Sequence, residues 1–263
     1  MTEQLRERFV DSAGYWSPAW QALLDEDPAF FATFVEFAGV PRRSATLEPK
    51  VKELICIAVN AAATHLFEPG IRAHVRRALE LGATREELLE VLQLTSTLGI
   101  HASTVGVPLL VHVIDESDSR SVSETDSDSQ SPRNSRPALL DDRRAALKAD
   151  FEAKRGYWHG FWDGLLELDP DFFRAYVDFS AYPWEHGVLE PKVKELIYTA
   201  FDASATHMYV PGLRQHIENA LGYGATAAEV MEVFELASTI GIHGYLVALP
   251  IVVEELERAE GGG

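Results

Sequence analysis

The sequence has one cysteine, few basic residues and no apolar leader, and each shortage excludes a class of protein. Cys56 alone cannot form an internal disulfide. The 23 Lys and Arg residues face 41 Asp and Glu residues, and the net charge of −18 makes nucleic acid and anionic membranes poor partners. The first residues carry charges where a signal peptide needs an apolar run, and we expect no stretch that spans a bilayer. These shortages predict a soluble, cytoplasmic protein.

Strand-like alternation of apolar and polar residues is also scarce, whereas helix signals are frequent. Pro28 and Pro49 suit the first turn of a helix, where a missing N–H costs nothing. Thr84 with Glu87 has the spacing of a capping box at a helix start. The pattern predicts an all-α fold, with helices in the first half near 28–39, 49–63, 70–81, 85–98 and 102–114.

The chain contains an internal repeat. The segment LEPKVKELI occurs at 47–55 and again at 189–197, an offset of 142 residues (189 − 47), and the same offset aligns GYW, GAT and GIH without a gap. Between the copies lies a segment rich in Ser and Asp and almost free of apolar residues. The repeat predicts two homologous helical-bundle domains, at 1–114 and 138–258, joined by a flexible linker at 115–137.

The repeat also places histidines at matching positions. The segments HLFEPGIRAH and HMYVPGLRQH each begin and end with a histidine, and the offset between them is again 142 residues. His74 falls on or beside an apolar helix face, where a lone histidine is more often a core residue than a catalyst. Its recurrence in the second copy favours a functional role, although shared packing would also retain it. The matched pairs are His65 and His207, His74 and His216, and His101 and His243.

These segments resemble the carboxymuconolactone decarboxylase and alkylhydroperoxidase D-like family. The resemblance rests on a Glu early in a helix, a His eight residues before a Gly, a capped helix start and a closing Gly, and it covers about 47–112 and 189–254. It implies an all-α fold that assembles into trimers or hexameric rings. Two copies in one chain then imply a homo-oligomer, either a trimer with pseudo-hexameric symmetry or a dimer of such units.

The chain departs from the peroxidase branch of this family, which carries a C-x-x-C pair with a Glu and a His as proton relay. Thiol–disulfide chemistry needs two sulfur atoms within reach. The corresponding loops, ATHLFEPG and ATHMYVPG, contain no cysteine. Cys56 lies in the preceding helix and is matched by Tyr198 in the second copy. We therefore expect no thiol peroxidase activity and place the chain nearer to the decarboxylase branch, which lacks the cysteines.

Cofactor-free decarboxylation requires a group that delivers a proton to carbon, and histidine suits this because its pKa lies near neutrality. A neighbouring Glu can set the tautomer of the imidazole. The arginine two residues before each candidate histidine could hold an anionic substrate, or form only a surface salt bridge. The predicted catalytic residues are Glu53, His65, His74, Glu195, His207 and His216, and the predicted substrate-binding residues are Arg72, His101, Arg214 and His243.

Two alternatives stay open at the level of sequence. Three histidines and a carboxylate per copy are also the ligand types of a zinc, iron or copper site, although the spacings match no compact metal motif. A degenerate member could instead only bind a small molecule, its pocket closed by Phe67 and Tyr209. We predict no metal and no cofactor for the favoured decarboxylase-like enzyme.

Overall fold

The computed structural model describes residues 2–124 and 141–261, and within these ranges every regular element is a helix, which confirms the all-α prediction. Three short 3-10 segments, Thr97–Ile100, Gly160–Trp162 and Thr239–Gly241, connect some of the helices. The α-helices are α1 (Thr2–Ala13), α2 (Pro18–Glu26), α3 (Pro28–Arg43), α4 (Pro49–Ala61), α5 (Glu68–Glu80), α6 (Arg85–Ser96), α7 (His101–Glu124), α8 (Asp142–Arg155), α9 (Asp163–Leu168), α10 (Pro170–His186), α11 (Pro191–Ala203), α12 (Val210–Gly222), α13 (Ala227–Ser238) and α14 (Ile242–Gly261).

The local signals in the sequence set most helix boundaries. Pro28 and Pro49 stand in the first turns of α3 and α4. The Thr84 hydroxyl accepts from the Glu87 N–H while the Glu87 carboxylate accepts from the Thr84 N–H, so the capping box is formed. Gly82, just before it, has a φ of 83°, a conformation that costs other residues strain. Each boundary follows from residues within one helical turn of it.

The linker predicted at 115–137 falls mostly outside the described residues. Its first ten residues, 115–124, form the C-terminal part of α7.

The first of two compact units contains Met1–Ser96 and Val188–Gly263, and thus α1–α6 together with α11–α14. At its centre lie α4 and α11, in which every side chain from 51 to 60 and from 193 to 202 is buried. An aromatic cluster that includes Phe9, Trp20 and Phe31 packs against Ile242 and Leu246 of α14. The last helix of the second sequence copy therefore covers the first helices of the first copy.

Two buried ion pairs connect the sequence copies inside this unit. Lys52 Nζ lies 2.6 Å from a carboxylate oxygen of Glu232, and Lys194 Nζ lies 2.8 Å from one of Glu90. The second Glu232 oxygen accepts from the Leu47 N–H at 3.1 Å, and Lys52 also donates to two backbone carbonyls. Because a buried charge without a partner is costly, these pairs fix how α4 and α13, and α11 and α6, meet.

The second unit, Thr97–Gly187, contains α7–α10 around an aromatic core that includes Phe151, Trp162 and Phe173. Gly164 lets α9 approach α7, since a Cβ there would lie 3.0 Å from Val107. The units and the predicted domains thus divide the chain differently. The domain boundaries at 1–114 and 138–258 describe the sequence repeat, whereas packing groups the last helix of each copy with the first helices of the other.

Two helical runs, 85–117 and 227–260, are long and apolar enough to cross a membrane by length and composition alone. This differs from the expectation that no stretch reaches that length. Each run reaches it because a 3-10 segment connects two α-helices. Core helices of soluble proteins meet the same criterion, and about two fifths of the apolar window in the second run is buried.

Candidate functional site

A buried Glu–His pair forms the centre of the candidate site. Glu53 lies in the second turn of α4, and His74 lies on α5, which returns antiparallel to α4. The His74 Nδ1 atom is 2.7 Å from Glu53 Oε2, and both side chains are almost fully buried. The structure thus brings together two of the residues that the sequence predicts to be catalytic in the first copy.

The reversal between α4 and α5 depends on the loop at 62–67. Leu66 adopts a φ of 49° and the Phe67 N–H donates to the Asn60 carbonyl, so the chain turns back. Pro69 and Gly70 follow this loop and stand in the first turn of α5. Gly70 is required there because a Cβ would lie 2.1 Å from the Asn60 Oδ1 atom. This close approach sets the register that places His74 beside Glu53.

The ionisation of the pair follows from its surroundings. Burial raises the pKa of Glu53, but the hydrogen bond from His74 and the charge of Arg42 outweigh it, and the pKa is lowered overall. Burial, with a further contribution from the charge of Arg42, lowers the pKa of His74 more than Glu53 raises it. At neutral pH we therefore infer a neutral imidazole whose Nδ1–H donates to the Glu53 carboxylate, which leaves Nε2 as an unprotonated base.

A third residue, Arg42 from α3, contacts this Glu–His pair, and it is not among the residues predicted from the sequence. Its guanidinium forms an ion pair with Glu53 Oε1 and lies 3.3 Å from the Cys56 Sγ atom. Burial raises the pKa of the Cys56 thiol to about 11, despite the nearby arginine, so the thiol stays protonated. The sequence gives one indication that Arg42 has a special role: the matching position of the second copy is a tryptophan, Trp184.

Two members of this group, His74 and Arg42, line a narrow cavity of about 50 Å³. Its walls are mainly aromatic and aliphatic, with Tyr15 in edge-on contact with His74 at a ring separation of 6.4 Å. Burial raises the pKa of the Tyr15 phenol, which therefore remains a neutral donor. The cavity thus combines a buried base, a cation and a mainly apolar wall.

His243 lines the same cavity, although the sequence analysis grouped it with the second copy. It enters because α14 packs on α2 within the unit. His65 does not reach His74; its Nε2 atom lies 2.8 Å from His243 Nδ1, and the Phe67 ring stacks on His243 at 3.9 Å. Burial, followed by the charges of His65 and His74, lowers the pKa of His243 to about 3. The pocket of the first copy thus contains a neutral imidazole from the second.

The second copy repeats the Glu–His pair but not its surroundings. His216 Nδ1 lies 2.6 Å from Glu195 Oε2, and Asn219 donates to Glu195 Oε1 at 3.1 Å. The Tyr198 ring, which replaces Cys56, stacks on His216 with centroids 4.4 Å apart and planes within 11°. Burial also raises the pKa of Asp202, the counterpart of Asn60, to about 7. The two imidazoles are equally buried, but His216 is stacked against an aromatic ring, whereas His74 lines a cavity next to Arg42.

The remaining predicted residues lie elsewhere. Arg72 is on the exposed face of α5 and pairs with Glu68 at 2.6 Å, and Arg214 is exposed on α12. His207 is half-buried in the loop before α12, where burial lowers its pKa. His101 begins α7 in the second unit. The structure thus places both arginines on helix faces turned to solvent.

Comparison with known proteins identifies the family. The family model for the carboxymuconolactone decarboxylase family matches residues 28–113 and 170–249. A crystal structure from Burkholderia xenovorans LB400, provisionally described as a gamma-carboxymuconolactone decarboxylase subunit, is 50% identical, covers 98% of both chains and has a TM-score of 0.89. A search of curated proteins gives no match. The chain belongs to the carboxymuconolactone decarboxylase family and carries the family region twice.

Proposed function

We propose that the chain is a cofactor-free lyase that removes carbon dioxide from a small cyclic carboxylic acid or lactone, or performs related acid–base chemistry on it. Membership of a decarboxylase family supports the reaction class. The observation that carries the proposal is the buried Glu53–His74 pair, whose imidazole lines a mainly apolar cavity together with Arg42. The pair supplies a proton carrier near neutral pH and the arginine supplies positive charge.

The roles follow from the geometry. When the carboxylate of the substrate leaves as carbon dioxide, its bonding electrons pass into a dienolate, whose charge the Arg42 guanidinium stabilises. His74 accepts a solvent proton at Nε2 and transfers it to the carbon that lost the carboxylate. The Glu53 carboxylate accepts from Nδ1–H throughout, so it fixes the tautomer and stabilises the imidazolium while it exists. One proton is consumed and one carbon dioxide is released per turnover.

Thiol chemistry is not part of this proposal. The described structure places the one sulfhydryl, Cys56, in the buried centre of α4, where its pKa of about 11 keeps it protonated. A thiol that is protonated and buried is a poor nucleophile. The side chain serves instead as a neighbour of Arg42.

The two copies are expected to contribute unequally, because Tyr198 stacks on His216 while the His74 imidazole lines a cavity. The test measures carbon dioxide release from carboxymuconolactone by the wild-type protein and by two matched variants. His74→Gln should lower kcat by about 10²-fold or more, since general acid–base groups contribute that much. His216→Gln should stay close to wild type. Equal losses in both variants would refute the assignment to the first copy, and no wild-type turnover would refute this substrate.

We also propose that the chain is a homo-oligomer, a trimer with pseudo-hexameric symmetry. Support comes from exposed apolar side chains that line up on the last helix of each copy: Val105, Leu109 and Val113 on α7, and Val247, Ile251 and Leu256 on α14. Such faces usually pack against a partner. Light scattering should give three times the 29.2 kDa chain mass, and a monomer at micromolar concentration would contradict the proposal.

A further inference from the structure

A second and larger concavity lies next to the catalytic pocket and has a different chemical character. It has a volume of about 490 Å³, within the range of small-molecule sites. Ser12 and Arg42 line both concavities, so the two adjoin at the Arg42 guanidinium. Five of its lining residues are cationic: Arg8, Arg42, Arg43, Lys52 and Arg77. In a chain with a net charge of −18, such a concentration of positive groups is unusual.

The second sequence copy lacks these arginines. At the offset of 142 residues, Arg8, Arg42, Arg43 and Arg77 correspond to Asp150, Trp184, Glu185 and Asn219, and only Lys52 has a basic counterpart, Lys194. Helix packing alone would tolerate the same residue types in both copies. The four arginines are therefore a specific feature of the copy whose histidine lines a cavity with Arg42.

Three of the arginines can offer donors to a ligand. Arg8, Arg43 and Arg77 come from α1, α3 and α5, and their side chains are between 38% and 57% exposed. Arg8 and Arg43 share one acceptor, Glu36, and a single nitrogen of Arg77 bonds Glu80 at 3.1 Å. A guanidinium has five N–H donors, and exposed ion pairs contribute little stability, so a ligand can engage the others.

We propose that this arginine-lined cavity binds a small organic anion with two or more carboxylate groups. Guanidinium groups bind carboxylates through paired N–H donors, and three of them on separate helices surround the space for more than one carboxylate. Asp11 and Glu53 also line the cavity and disfavour an anion next to them. The cavity shares Arg42 and Glu53 with the proposed reaction, but His74 does not line it, so binding of the anion does not require turnover.

The test is a calorimetric titration with tricarballylate, inorganic phosphate and acetate at constant ionic strength. We expect tricarballylate to bind with a Kd of about 1 mM or tighter and acetate at least about tenfold more weakly. Phosphate that binds as tightly as tricarballylate, or tighter, would overturn the assignment to carboxylates. So would the absence of tricarballylate binding up to about 10 mM.

Variants locate the binding. Arg77→Asn, which introduces the residue of the second copy, should weaken tricarballylate binding at least about tenfold. The matched control is Arg76→Asn, which removes the same charge from the neighbouring exposed position outside the cavity lining, and it should bind like wild type. Equal weakening in both variants would refute the site, since it would show a general charge effect. Repeating the titration on His74→Gln separates this proposal from the reaction, because binding should persist there even without turnover.

Discussion

The buried imidazole of His243 should make the stability of the protein decrease as the pH falls from 7 to 5. The folded pKa of His243 is about 3, compared with an ordinary value of 6.5, because of burial and the charges of His65 and His74. The folded state therefore binds fewer protons than the unfolded state below pH 6.5. For a group with a lowered folded pKa, stability is complete above the unfolded pKa and decreases as the pH falls.

The magnitude follows from the difference in pH. At pH 5 the unfolded imidazole is protonated and the folded one is not, and each pH unit below 6.5 costs about 1.4 kcal/mol. One and a half units correspond to about 2 kcal/mol of lost unfolding free energy. His65 and His74, whose pKa values are also lowered by burial, add to this in the wild-type protein.

The assay is urea denaturation of the wild type and of His243→Gln at both pH values. The packing lost in the variant is the same at pH 7 and pH 5, so it cancels in the difference between them. The variant should lose about 2 kcal/mol less than the wild type over this range. His112→Gln, at an exposed side chain, is the control for removal of one histidine. Equal losses in wild type and His243→Gln would refute the reasoning.

Three further predictions concern buried groups. Glu232→Ala leaves Lys52 without its counter-ion and should lower the unfolding free energy, measured by urea denaturation, by about 3–5 kcal/mol. The double variant Lys52→Met, Glu232→Leu should lower it much less. Losses that simply add would contradict the pairing. Gly70→Ala places a Cβ 2.1 Å from the Asn60 amide oxygen and should lower the unfolding free energy by about 1–3 kcal/mol, while an unchanged value would show that the loop adapts. Cys56 should react with a thiol reagent at pH 8 only after denaturation, and rapid labelling of the folded protein would contradict its assigned burial.

Much of the helical framework could be predicted because its determinants are local. First-turn prolines, the capping box at Thr84 and the glycine at 82 each act within one turn of the helix end they define. The pairing of Glu53 with His74 was also within reach of the sequence. Both residues recur at the same offset in the second copy, on helices that are adjacent in the chain.

The surroundings of that pair depend on contacts that no local pattern encodes. Arg42 reaches Glu53 from α3, and His243 reaches the pocket from the other end of the chain. Arg72, by contrast, has a suitable spacing to His74 but lies on the exposed face of the same helix. Spacing along a helix determines which face a residue occupies, but not which face the next helix covers.

The sequence alone determined that the protein is helical, duplicated and without the thiol pair of its redox relatives, because these properties follow from residue type and period. Only the tertiary structure decided that the two copies differ in their surroundings. One imidazole borders a cavity next to Arg42, and the other lies beneath the Tyr198 ring. The physical reason is that the surroundings of each imidazole come from several helices: Arg42 from α3 and His243 from α14 in the first copy, and Tyr198 from α11 in the second.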